Sequence, residues 1–179
     1  AAQGSFPAAP QRRKLLMLNV YFAPQSVGGA TRIAQDQVRA ICEQLGDHWD
    51  VTVLCTESDS WQADLEQAPA DPIKPRKVWQ IEKPLPMQVH QWHGARVVRL
   101  TLPPRSWSRH HDVSVEAFCR RWFASERFDL VHCHCIQELG IGPLTAAREL
   151  GIPYVVTLHD GWWLSPRQFL TTPSGRPVD

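Results

Sequence analysis

The run Thr157-Leu158-His159-Asp160-Gly161-Trp162-Trp163 sets an imidazole and a carboxylate directly behind an apolar strand that spans Pro153 to Leu158. In open parallel sheets, ligands bind just beyond the carboxyl ends of the strands, so a polar pair in that place is a site candidate. His159 can hydrogen-bond a sugar hydroxyl or move a proton near neutral pH. Asp160 is the second candidate, either orienting that ring or capping the turn that follows. Trp162 offers a face of the kind that stacks on sugar rings, whereas Trp163 is expected in the core. Arg167, in Ser165-Pro166-Arg167, adds a cation that a sugar or acceptor could use.

Two further strand ends carry unusual residues. Tyr21 to Arg32 links the first strand to the first helix and contains Gly28-Gly29. Glycines there let backbone amides approach a ligand closely, and the helix start turns its positive dipole end towards it, which suits a diphosphate. Arg32 follows as a candidate for binding acceptor or sugar. The pattern G-x-G-x-x-G is absent, which counts against a nicotinamide-binding domain.

The other strand end is His132-Cys133-His134-Cys135, whose four side chains suggest zinc. On a strand the two histidines face one side and the two cysteines the other, so they cannot converge on one tetrahedral ion. No metal or other cofactor is expected. His132 and the cysteines are expected in or near the core, with His134 reaching the edge as a further sugar- or acceptor-binding residue.

Between these ends the apolar pattern alternates strand and helix. Lys14 to Val20 reads as a buried parallel strand, Ala30 to Leu45 as an amphipathic helix stopped by Gly46, and Val51 to Cys55 as a second strand. Periodicity then fails from Thr56 to Gly94, where five prolines and three tryptophans accompany one short strand near Lys77 to Ile81. A strand at Ala95 to Leu100 follows. Next comes a helix around Val115 to Phe123, capped by Asp112 or Ser114, and a strand from Asp129 to His134. A short helix covers Pro143 to Leu150, and beyond Asp160 only a loop-like tail is expected. This order predicts an α/β domain: a doubly wound, Rossmann-like parallel sheet with helices on both faces. Residues 1–13 are expected to be a flexible leader and 14–179 one domain.

Composition narrows the field. The 179 residues carry a formal charge of only +1, with scattered basic residues, so there is no footprint for nucleic acid. Five cysteines without repeated spacing point to reduced thiols and a cytoplasmic setting. No apolar run approaches the roughly 20 residues that a membrane span needs.

Taken together, three stretches resemble the N-terminal half of retaining glycosyltransferases of the GT-B fold, family four. They are Val27-Gly28-Gly29-Ala30-Thr31-Arg32, Asp129-Leu130-Val131-His132-Cys133-His134 and Val155-Val156-Thr157-Leu158-His159-Asp160. The resemblance implies an acceptor-side domain of an enzyme that moves a sugar from a nucleotide-sugar to an acceptor hydroxyl in glycan biosynthesis. Gly28 and Gly29 would touch the donor diphosphate, and His159 the donor sugar. The acceptor would be a glycan, a lipid-linked molecule or a small molecule, met in the cytoplasm or at the inner face of a membrane. Arg76, Arg105 and His110-His111 would belong to its recognition surface. The family's Glu-x7-Glu motif is missing, because no two Glu lie eight positions apart. The donor-gripping C-terminal domain is therefore expected outside this chain, and the chain alone is expected to be inactive. A reading from another class is a non-catalytic α/β module that holds a phosphorylated ligand at Gly28-Gly29.

Overall fold

The computed structural model of the chain describes residues 11–25, 28–56, 85–102, 110–164 and 176. Its strands are β1 Arg13–Leu18, β2 Trp49–Thr56, β3 Met87–Trp92, β4 Ala95–Leu100, β5 Leu130–Cys133 and β6 Tyr154–Val156. They form one sheet in the order β3-β4-β2-β1-β5-β6. Every neighbouring pair is parallel except β3 and β4. The helices are α1 Gly28–Leu45, α2 Val113–Glu126 and α3 Gly142–Glu149, and a 3-10 turn covers Gly161–Trp163.

Strands buried on both faces read as continuous apolar runs, and β1 shows why. Its Leu16 and Leu18 pack towards α2 and α3 with Leu54, Val98, Phe118, Trp122 and Val131. Leu15 and Met17 pack on the opposite face with Ala34 and Val38 of α1 and with Val51, Val53 and Val97. Helices therefore cover both faces of the sheet, and the expected doubly wound, Rossmann-like α/β architecture is the one found.

The structure corrects the expectation that residues 56–94 lack regular structure. β3 lies inside that stretch and pairs with β4 from Met87↔Leu100 to Trp92↔Ala95. His93 and Gly94, at φ 47° and 86°, make the two-residue turn between them. Left-handed conformation at both positions matches the twist of the flanking strands, as in other tight hairpins. The strand was hidden because an edge strand with Gln88, His90 and Gln91 shows little apolar patterning. The short strand expected near Lys77 to Ile81 lies outside the described residues. Of the tail expected to be loop-like, Gly161–Trp163 form a 3-10 turn that Asp160 caps, and residues 165–175 and 177–179 lie outside the described residues.

Asp112 is the cap of α2, accepting from the amides of Ser114 at 2.8 Å and Val115 at 3.1 Å. Just before α2, the backbone of His110 passes so close to the β5–α3 loop that a Cβ on Gly140 would lie 2.8 Å from its carbonyl oxygen. Gly140 also has φ +68°, as does Gly151, where a Cβ would meet nothing within 4 Å. Gly151→Ala should therefore cost only the left-handed backbone, about 1 kcal/mol. Gly140→Ala adds a clash with main chain and should cost about 2 kcal/mol or more. Urea unfolding of both variants measures the difference, and equal losses would refute the close approach.

Candidate functional site

The chain leaves β1 for β2 on one side and later lays β5 against the other. The sheet order thus reverses between β1 and β5, and their carboxyl ends frame the crevice where ligands of such sheets bind. Main chain closes the base of the crevice. His134 N donates to Leu18 O at 2.9 Å, and Val20 N donates to Cys135 O at 2.6 Å.

Asn19, fully buried at the first position past β1, ties three segments together. Its Nδ2 donates to Tyr21 O and lies 3.3 Å from Thr31 Oγ1 in α1, while its Oδ1 accepts from Cys135 N at 3.1 Å. Glu138 adds a second tie, accepting from the Tyr21 hydroxyl at 3.1 Å and the Thr56 hydroxyl at 2.8 Å. Burial, then the Glu138 charge, pushes the Tyr21 phenol up to about 12, so it stays a donor.

The fully buried Arg99 of β4 holds the same loop from below. Its guanidinium donates to Gln25 Oε1 at 2.7 Å, Phe22 O at 3.0 Å, Ala23 O at 2.5 Å and Thr56 O at 3.1 Å. His90, whose ring sits 3.2 Å from Ala23 O, is lowered to about 4 by burial and by Arg99. Sequence reasoning missed Asn19, Thr31, Thr56 and Arg99. The available signal was a polar residue at the end, or inside, of an otherwise apolar strand.

This framework presents Gly28, Gly29 and Arg32 exposed on the first turns of α1. Across the crevice, His159 is partly exposed and its Nε2 lies 2.9 Å from His134 Nδ1. His134 itself is completely buried. It does not reach the edge as expected, because it is enclosed between His132 and His159, with ring centroids 4.4 Å and 5.2 Å away. His132 lies 2.9 Å from the Thr157 hydroxyl. Desolvation, then the neighbouring His132 and His159, lowers His134 to about 3.

Asp160 is already occupied. Oδ1 accepts from Trp162 N at 2.9 Å, and Oδ2 from Gln137 Nε2 at 3.0 Å. Its carboxylate therefore caps the 3-10 turn, and the partner of the His159 ring is His134. Trp162 is only 1% exposed, so it offers no open face for a sugar and serves as core under His110, whose ring lies 4.7 Å away. Trp163 packs partly buried against the same core. His111 pairs with Glu116 of α2. Arg167, Arg76 and Arg105 lie outside the described residues.

Cys133 faces the α2 and α3 core, opposite the His132 and His134 rings. Burial pushes the thiols of Cys133 and Cys135 up. All five cysteines are free thiols. Among the described residues no helix is long and apolar enough to cross a membrane.

A polar cavity of about 430 Å³ lies at the opposite edge of the sheet, lined by Arg12, Lys14, Asp50, Arg96 and Glu126 among others. Within it Arg96 meets the Glu126 carboxylate at 2.9 Å and Lys14 Nζ meets it at 3.9 Å, and Lys14 Nζ also donates to the Glu126 carbonyl oxygen at 2.8 Å.

The buried His134 makes stability depend on pH. Unfolded histidine titrates near about 6.5, whereas His134 is lowered to about 3 in the fold. Between those values the unfolded chain binds a proton that the folded chain excludes. Stability is therefore complete above the unfolded value and falls as pH drops towards the folded one. Going from about pH 7 to about pH 5 should remove about 2 kcal/mol through this residue. Urea unfolding at both pH values should show a shallower loss for His134→Asn, and equal losses would assign the effect elsewhere.

A family model described as a glycosyl transferase 4-like domain matches residues 28–178. No curated protein matches the sequence. Among solved structures, the C-terminal domain of a hydrogenase from Pyrococcus furiosus is 17% identical, covering 87% of this chain and 100% of its own, at a TM-score of 0.41. That likeness is too loose to argue from. The family match spans α1 through the 3-10 turn, well over half of the chain, and so the chain belongs to the glycosyl transferase 4-like domain family.

Proposed function

We propose that this chain is the acceptor-side half of a retaining glycosyltransferase that moves a sugar from a nucleotide-sugar donor to an acceptor hydroxyl. One observation carries the reading: an open glycine-led helix start and a partly exposed histidine both lie past the carboxyl ends of the parallel strands, and Asn19 ties that helix start to the loop after β5. In this reading the diphosphate sits against the amides of Gly28 and Gly29, with Arg32 beside it. Helix amides and dipole stabilise the charge that develops on the departing diphosphate, so no metal takes part. His159 hydrogen-bonds a hydroxyl of the donor sugar. The acceptor hydroxyl enters on the face that the diphosphate leaves.

A Cβ on Gly29 would meet no protein atom within 4 Å. Gly29→Val should therefore fold normally yet weaken donor binding by pushing the phosphate off the helix start. Unchanged donor affinity, measured by calorimetry, would refute the phosphate role.

The nucleotide grip belongs to a second half, so residues 1–179 alone should bind nucleotide-sugars weakly and turn none over. Incubating the purified chain with a panel of labelled nucleotide-sugars tests this, and measurable turnover would overturn the divided site. With the donor-side half present, His159→Ala should lower kcat and kcat/KM together by about thirty- to a thousandfold. That corresponds to losing about 2–4 kcal/mol of transition-state stabilisation. A stable His159→Ala enzyme with normal turnover would make this histidine structural.

A further inference from the structure

We infer that His134, which touches no ligand, is a positioning residue that fixes the proton of His159 on Nδ1, so that His159 faces the crevice as a hydrogen-bond donor. What that donor serves rests on the transferase reading, whereas the proton placement does not. His134 Nδ1 and His159 Nε2 lie 2.9 Å apart with the rings inclined by 25°, so one proton lies between the two nitrogens. Each neutral imidazole carries a single N–H, and two arrangements follow.

In the first, His134 Nδ1–H donates to His159 Nε2, and His134 Nε2 is a bare lone pair. In the second, His159 Nε2–H donates, and the proton of His134 sits on its own Nε2. That Nε2 is buried and has no hydrogen-bond partner among the described residues. The second arrangement therefore strands a buried N–H without a protein acceptor among the described residues, and orphaned buried donors of that kind are rare. A doubly protonated His134 is ruled out by its burial, which lowers it to about 3. His132 does not rescue the second arrangement, since its own Nε2 is engaged with Thr157 Oγ1 at 2.9 Å.

The first arrangement makes His159 Nε2 the acceptor, and a neutral His159 then holds its proton on Nδ1. A free histidine side chain in water prefers the opposite tautomer. No partner engages His159 Nδ1 among the described residues. The site is thus offered an N–H suited to an oxygen acceptor, such as a sugar hydroxyl. As a base, His159 would have to expose a lone pair at Nδ1, and that would force the stranded N–H onto His134. Of the two roles open to a histidine in this place, the geometry selects donor over base.

The test is a long-range proton–nitrogen correlation spectrum of protein carrying 15N-labelled histidine, at about pH 8, above the ordinary histidine range. Both His134 and His159 should show a protonated Nδ1 and the large downfield shift of a bare Nε2. His134→Asn presents an amide N–H near the place of Nδ1 and should keep that signature on His159. His134→Leu should return His159 to the solution preference, with its proton mainly on Nε2. A wild-type His134 protonated on Nε2 would overturn the inference, as would a His159 signature that His134→Leu leaves untouched. If His134→Leu does not fold, the wild-type spectrum still decides. No substrate is present, so a failure of sugar transfer and a failure of this proton assignment are separate results.

Discussion

In a doubly wound sheet the crevice exists because the chain turns opposite ways from two neighbouring strands, but nothing in that topology fixes how far apart its lips stand. Here one buried amide does so. Asn19 is fully buried, and its side chain reaches the start of α1 through Thr31 and the loop after β5 through Cys135. An amide suits this place because it donates and accepts at once, satisfying backbone groups of two loops that meet no ladder partner. Glycine amides on one lip and a histidine on the other can act on one ligand only if their separation is set in advance. Preorganisation of that kind is where electrostatic stabilisation is strongest.

Arg99 works on the same loop with a different currency of forces. Loops of this length on a sheet edge leave carbonyl oxygens pointing inwards, and a buried carbonyl without a donor is costly. A planar guanidinium with several donors can serve four oxygens at once, as it does for Phe22, Ala23, Thr56 and Gln25. A lysine, with one ammonium on a flexible stem, could not span them. The loop after β1 is thus held, as far as Gln25, from two strands away in β4.

The architecture was legible in the sequence because parallel strands buried on both faces must be almost wholly apolar. β1, β4 and β5 announce themselves for that reason, and α1 does so by its 3.6-residue period. β3 escaped because an antiparallel edge strand needs apolar residues on one side only, and His90 fills part of that side by reaching Ala23. Of the candidates read from the sequence, Gly28, Gly29 and Arg32 are exposed and His159 is partly exposed in the structure. Trp162 and His134 were misplaced for a common reason. The sequence places both near the active edge, but burial there depends on His110 packing over Trp162 and on His132 and His159 flanking His134, contacts between distant segments. Arg99 went unremarked for the same cause.

The site therefore divides by burial. The candidates at the crevice are few: Gly28, Gly29 and Arg32 are exposed on the first turns of α1, and His159, after β6, is partly exposed. Beneath them, Asn19, Arg99, Gln137 and His134 are buried, and each directs at least one polar atom at a loop or at a more exposed neighbour. His134 is the extreme case. A histidine kept neutral in a dry interior cannot serve as an acid at ordinary pH, yet its single proton is the most informative group it has. By directing that proton at His159, the interior determines which nitrogen the surface residue can offer. Specificity at such a site does not reside wholly in the atoms that touch the ligand. Replacing an exposed residue changes a contact, whereas replacing a buried one changes what the contact is able to donate.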